Sequence, residues 1–322
     1  MDLSVTMTTN ASSKDRPREQ RYMAAADRPR IRKARLFAIL TLLSGCVYLI
    51  WVILHLNPQT PIMGALFLLA EVACLALFLI TAARSTRLRH KPVEGLRLAR
   101  SYTVDVFITT AGEPINVVSK CMHAAAAIDW PKADLKIYLL DDANAPELKV
   151  LADQLGIHHL SRLAAGLKRE NAKAGNLNFG LRNSTGELIL SLDADQAPKP
   201  GILKALAGYM KFEDLAFIQS QQTFYLPEGD PFYNGDNVFY GTMQKAFDES
   251  NSVISCGSGV LYRRRALEDI GGFVEWNLVE DLVSSYEMHA RGWKSFYYPH
   301  ALTRGLAPWD INGVYHQRSQ WA

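Results

Sequence analysis

Asp193 and Asp195 stand two residues apart, directly after the apolar run Glu187-Leu188-Ile189-Leu190-Ser191-Leu192. Two carboxylates so spaced just past a buried strand can share one divalent cation, with a diphosphate adding further oxygen ligands of the kind Mg²⁺ and Mn²⁺ prefer. Such a cation offsets the charge that builds on a departing nucleoside diphosphate. A second acidic pair, Asp141-Asp142, follows Leu135-Lys136-Ile137-Tyr138-Leu139-Leu140. One of the two would bond the nucleoside or help place the metal, although an acidic turn opening a helix has the same look. Lys173, in Glu170-Asn171-Ala172-Lys173-Ala174-Gly175-Asn176, precedes a small-residue turn from which its ammonium can reach a phosphate, with Gly175 permitting close backbone approach. Glu280-Asp281 opens an amphipathic stretch after Gly271-Gly272-Phe273. A carboxylate there is either a helix cap or a general base for an acceptor hydroxyl. Near the carboxyl end, Gln317 and Trp321 offer an amide for sugar hydroxyls and a ring for stacking under a sugar.

For these groups to meet, the chain between them must form a particular kind of sheet. Val104-Asp105-Val106-Phe107-Ile108-Thr109 reads as a strand, as do the runs before Asp141 and Asp193, and helical stretches separate the three. That alternation predicts βαβ units and a parallel sheet. Functional groups in such sheets gather at the carboxyl ends of the strands. The acids that follow the three strands, Glu113, Asp141-Asp142 and Asp193 with Asp195, all lie there.

The 322 residues include 48% hydrophobic and 21% charged side chains, with a net charge of +3. That charge is too small to argue for a nucleic-acid partner. The four cysteines, Cys46, Cys74, Cys121 and Cys256, form no CxxC pair, so neither a disulfide framework nor a zinc site is expected. Residues 1 to about 30 are polar and read as a disordered tail. Two apolar runs follow, about 36–56 and 62–83, each near the roughly 20 residues that span a bilayer. Basic residues (Arg28, Arg30, Arg32, Lys33, Arg35, then Arg84, Arg87, Arg89, Lys91) flank the pair on its outer ends, while the linker between the runs has none. The positive-inside rule puts both flanks, and everything after about residue 84, in the cytoplasm. Glu71 falls mid-span, where a charge is costly and should face protein.

Taken in chain order, these pieces resemble processive family 2 glycosyltransferases, and within them most closely the bacterial cellulose synthase catalytic subunits. The resemblance runs from about Arg84 to the end of the chain. It is carried by Val104–Thr110 with Glu113-Pro114, Leu139-Leu140-Asp141-Asp142, Ala172-Lys173-Ala174-Gly175-Asn176-Leu177-Asn178, Leu192-Asp193-Ala194-Asp195, Cys256-Gly257-Ser258, Gly271-Gly272-Phe273, Glu280-Asp281 and Gln317-Arg318-x-x-Trp321. It implies an α/β fold of the GT-A type, with a Rossmann-like mixed sheet and a two-helix transmembrane hairpin before it. The implied layout is a cytoplasmic tail (1–34), the hairpin (35–84) and a cytoplasmic catalytic domain (85–322) that is cut short. The implied reaction is inverting, processive transfer of glucose from UDP-glucose to a growing β-glucan at the inner membrane. Asp281 would be the base, Asp141 or Asp142, Lys173 and Asp193 would hold the donor, and Asp193 and Asp195 would hold Mg²⁺ or Mn²⁺. Cys256, Gly257, Ser258, Gln317 and Trp321 would hold the acceptor. The implied partners are a UDP-sugar, the polysaccharide, the lipid bilayer and further synthase subunits. A single-sugar transferase acting on a lipid, or an inactive sugar-nucleotide-binding scaffold, would share many of the motifs. Three positions depart from the family pattern. Gln320 stands where Arg is expected, leaving Arg318 as the neighbouring cation to take over. Val279 replaces Thr before Glu280, and Ala111-Gly112 replaces Tyr-Asn before Glu113.

Overall fold

Seven consecutive buried residues, Val104–Thr110, make β1, a strand covered on both faces. In the computed structural model, which describes residues 27–85, 98, 100–226, 228–235 and 238–321, β1 lies inside an eight-stranded sheet. Its parallel half has β3 (His158–Leu160) and β2 (Leu135–Asp141) on one side of β1 and β4 (Leu188–Asp193) on the other. Beyond β4 the sheet turns mixed. β7 (Val260–Arg263) runs antiparallel to β4 and to β6 (Leu215–Tyr225), β8 (Lys294–Leu306) runs parallel to β6, and the two-residue β5 (Ala197–Pro198) forms the edge.

Alternation along the strands feeds two apolar layers, since successive side chains leave opposite faces. Val106, Ile108, Leu139 and Leu190 point into one layer, with α3 (Ile115–Ala126) and α4 (Pro146–Leu155) over it. Phe107, Leu140, Ile189 and Tyr262 point into the other, with α5 (Ala172–Arg182), α8 (Arg264–Asp269) and α9 (Glu280–Ala290). The short α6 (Ile202–Leu206) and α7 (Gln244–Glu249) complete the domain, and α10 (Ile311–Trp321) ends it.

Register sets the depth of the functional groups. Thr110 pairs with Asp141, and Thr109 pairs with Asp193, so the carboxyl ends of β1, β2 and β4 finish level. Asp141 ends there as a brace. Its oxygens accept the backbone N–H groups of Ala143, Asn144 and Ala145 and the ring N–H of His159, at 2.7–3.0 Å, with no exposed surface left. Asp141→Ala is expected to destabilise the fold by roughly 2–4 kcal/mol, because buried donors lose their acceptor. Chemical denaturation would measure this, and a loss below about 1 kcal/mol would contradict the bracing role.

Before the sheet come α1 (Asp27–Leu54) and α2 (Pro61–Ser85). α1 starts well inside the expected tail, since Arg, Lys and Ala are good helix formers and extend the helix past its apolar part. Residues before 27 lie outside the described ones. Each helix holds a 23-residue stretch long and apolar enough to cross a membrane, Arg32–Leu54 and Pro61–Ala83, with 6% and 0% buried. Core helices of a soluble domain would be covered. Gly45 of α1 packs directly against Leu75 of α2. Glu71 lines a groove between the two helices with Thr41, Ser44 and Tyr48.

Candidate active site

The level strand ends open into a cleft of about 1330 Å³. Asp142, Lys173, Asp193, Asp195 and Asp281, drawn from four separate stretches of chain, all line it. Asp193 ends β4, and its N–H donates to the Ser258 hydroxyl at 2.9 Å. Lys173, in the first turn of α5, places Nζ 2.5 Å from Asp193 Oδ1 and 3.5 Å from Glu280 Oε1. Glu280 and Asp281 begin α9 without capping it, since Val279 holds the cap position and no side chain bonds there. Gly257 closes the cluster with φ at +71°. A Cβ there would sit 2.6 Å from Lys173 Nζ and 3.1 Å from Asp281 Oδ2, so only glycine lets the ammonium and carboxylate approach this backbone.

Crowding of acids shifts their protonation. Burial, then the Asp193 charge, pushes the Asp195 carboxyl up to about 7. Burial, then Glu280, pushes Asp281 up to about 6, opposed by Lys173. For Lys173, burial works against the charged form, but Asp193, Glu280 and Asp281 outweigh it and raise its pKa, keeping the ammonium charged.

Asp142 also lines the cleft, with Arg162 gripping both of its oxygens through Nε at 2.8 Å and Nη2 at 2.5 Å. The same guanidinium donates to the carbonyls of Glu170 and Ala172, fixing the turn at Asn171 and Ala172, where φ is +58° and +40°. Arg162 therefore ties the end of β2 to the residue before Lys173. Asp141, open as an alternative to Asp142 in the sequence, is not among the cleft-lining residues. Gly175 makes its close approach to the Glu170 carbonyl and Arg162, not to open space where a phosphate would lie.

Of the expected acceptor residues, Cys256 and Gln317 line the cleft. Ser258 does not. It is fully buried, and its carbonyl accepts from the side-chain amides of Gln219 and Gln222 at 2.9 and 2.8 Å. Its hydroxyl accepts the Asp193 N–H at the end of β4. The side chains of Gln320 and Trp321 lie outside the described residues. Arg318 donates to the Phe232 carbonyl at 2.8 Å and is absent from the cleft lining, so it does not take over the charge missing at position 320.

Sequence reasoning missed Arg162 and Gln219. Gln219 has no exposed surface, accepts the Cys256 N–H at 2.7 Å and holds the 256–258 loop against β6. The run Gln219-Ser220-Gln221-Gln222 inside an otherwise apolar strand was the available signal, because buried amides need partners.

A mixed sheet of this order, with acidic groups and a lysine at its parallel strand ends, is the GT-A fold of nucleotide-sugar glycosyltransferases. The family described as Glycosyltransferase like family 2 matches residues 101–322, and the chain belongs to it. It is 31% identical over 313 residues to the cellulose synthase 1 catalytic subunit [UDP-forming] of Komagataeibacter xylinus, an alignment covering 92% of this chain and 41% of that protein. It is 32% identical over 231 residues to the cellulose synthase catalytic subunit of Xanthomonas axonopodis pv. citri, covering 68% and 31%. The chain thus spans less than half the length of these relatives. Among solved structures, a mannosyltransferase from Pyrobaculum calidifontis in complex with GDP-Man and Mn²⁺ shares the fold, with a TM-score of 0.60 and 17% identity, covering 74% of this chain and 66% of that one.

Proposed function

We propose that the chain carries the donor site and catalytic base of an inverting, processive transferase that moves glucose from UDP-glucose to a growing β-glucan at the cytoplasmic face of a membrane. The observation that carries this reading is the meeting of Lys173 and Asp281 at Gly257, with Asp193 paired to the same lysine. A leaving-group cation and a proton acceptor are thereby held beside one another in a single cleft. The exposed apolar pair α1 and α2 supports membrane attachment, and basic flanks on one side support the orientation.

Asp193 and Asp195 fit a divalent ion. They stand two residues apart with some solvent access, and burial, then the Asp193 charge, raises the pKa of Asp195 to about 7, a shift that a nearby cation would oppose. Among the described residues no group of three or more metal-ligating side chains exists, so the donor's diphosphate completes the set in this reading. A bound Mg²⁺ or Mn²⁺ would supply charge neutralisation for that diphosphate.

In the reaction, Asp281 takes the proton of the acceptor hydroxyl. The freed oxygen forms its bond to the anomeric carbon from the face opposite the diphosphate. The carbon–oxygen bond to the diphosphate breaks, and its electron pair leaves with UDP, so an α-linked donor gives a β-linked product. Lys173 holds Asp193 in place and adds positive charge on the leaving side.

The test is UDP release by the full chain in membranes across a panel of UDP-sugars with Mg²⁺ or Mn²⁺, followed by linkage and length analysis of the product. UDP-glucose turnover with a long β-linked product is expected. Failure of every donor would end the proposal, and a product with one added sugar would replace processive synthesis with single transfer.

A further inference from the structure

The cleft is short of positive charge. Among the described residues that line it, six are acidic (Glu113, Asp142, Asp193, Asp195, Glu280 and Asp281), and two, Lys173 and Arg169, are cationic. Asp142 is neutralised by Arg162 from behind, and Lys173 is held between Asp193 and Glu280. Arg169 differs. It lies on the connection between β3 and α5, its side chain is exposed, and it makes no ion pair among the described residues. Its Nη2 donates only a long 3.3 Å bond to the carbonyl of Ala111, just past the end of β1. That bond carries the guanidinium from the β3–α5 connection to the turn after β1.

Among the described residues no carboxylate is paired with this charge. The Glu113 carboxylate, the nearest acid in that turn, accepts from the Thr110 hydroxyl at 2.6 Å and the Ala111 N–H at 2.7 Å. Burial opposes its ionisation, but these bonds outweigh burial and hold its pKa below the ordinary value, so it stays charged without Arg169. An anionic ligand entering past six carboxylates needs a countercharge that is not already paired. A guanidinium with free N–H donors suits phosphate oxygens. Arg318, the other candidate, lies outside the cleft lining.

We infer that Arg169 binds the diphosphate of the nucleotide donor from the open side of the cleft, supplying the positive charge that Gln320 does not. This rests on the donor reading above, and the test separates the two. The full chain in lipid nanodiscs is titrated with UDP and with uridine, in the presence of Mn²⁺, for the wild type, Arg169→Gln and Arg169→Lys. For Arg169→Gln, UDP affinity is expected to fall about 10- to 100-fold, the range for a lost hydrogen bond to a charged group. Uridine affinity should change by less than about threefold, and the dependence of UDP affinity on salt should flatten. Arg169→Lys should recover part of the loss, since it restores a point charge without the fork. A loosened turn would instead weaken uridine and UDP alike, and that result, or unchanged UDP affinity, overturns the inference. A wild type that binds neither UDP nor any UDP-sugar takes down the donor reading itself. Melting temperatures confirm that each variant is folded. Should Arg169→Gln not fold, Arg169→Lys decides, with a several-fold loss for UDP alone expected.

Discussion

Asp281→Asn is expected to cut sugar transfer by about a thousandfold while leaving UDP affinity within about threefold, in line with losses seen when a general base is removed. The asymmetry follows from position. Asp281 shares the Gly257 surface with Lys173 but is not the lysine's direct partner, since Asp193 and Glu280 take that ammonium. Removing one oxygen's charge thus takes away a proton acceptor without dismantling the donor side. The pH profile gives a second readout. With the carboxyl pushed up to about 6, the wild type should lose activity as pH falls through 6, because the protonated acid cannot accept a hydroxyl proton. The variant's residual activity should lack that limb. Stability runs the opposite way. A folded-state pKa above the ordinary value near 3.9 means that folding favours the protonated acid. That contribution is complete in acid and disappears as pH rises through about 6, so at pH 8 the neutral Asn should melt higher than the wild type. Initial rates, UDP titrations and melting curves between pH 5 and 8 measure all three. Equal activity in variant and wild type would remove Asp281 from the base role.

How much of this arrangement could be read in the residues depends on the kind of question. The strand before Asp193 was legible because Leu188, Ile189, Leu190 and Leu192 leave no polar face, and such a run must be covered on both sides. Once two such strands, β2 and β4, end in acids on either side of β1, topology brings the acids together, and the register Thr109–Asp193 and Thr110–Asp141 does so. The choice between Asp141 and Asp142 was not legible. Neighbouring residues at a strand end point to opposite sides, and a one-residue change of register would exchange their roles. What decides is Arg162, which arrives from the connection after β3 to grip Asp142, while the turn after β2 folds its own N–H groups onto Asp141. No pattern local to either aspartate encodes that. The burial of Ser258 was not legible for a related reason, because the glutamines of β6, distant in the chain, pull its backbone inward and leave its hydroxyl to accept the N–H at the end of β4.

Asp195→Asn should raise the stability of the metal-free protein and abolish its response to metal. Burial, then the Asp193 charge, pushes the Asp195 carboxyl up to about 7, so its ionised form is disfavoured by folding at neutral pH. The sign follows from linkage. A pKa raised on folding contributes stability that is full in acid and is lost as pH rises through about 7, whereas Asn keeps the neutral shape at every pH. The melting temperatures of variant and wild type should therefore be close below about pH 4, draw apart as pH rises towards 7, and keep a constant gap above that. Allowing for partial solvent access, the gap should reach about 2 kcal/mol, or roughly 4–8 °C for a domain of this size. Adding Mn²⁺ with UDP should stabilise the wild type, because a ligand that binds only the folded state shifts the balance toward it. The variant, left with Asp193 already bonded to Lys173, should gain little and lose transfer activity by at least about a hundredfold. Differential scanning fluorimetry across pH, with and without Mn²⁺ and UDP, distinguishes the outcomes. If the variant melts lower at pH 8, folding does not disfavour the ionised Asp195, and if Mn²⁺ stabilises both proteins equally, the ion binds elsewhere. Burial and, second to it, the Asp193 charge both oppose ionisation of Asp195, and a divalent ion placed between the two carboxylates would offset the charge that each of these penalises.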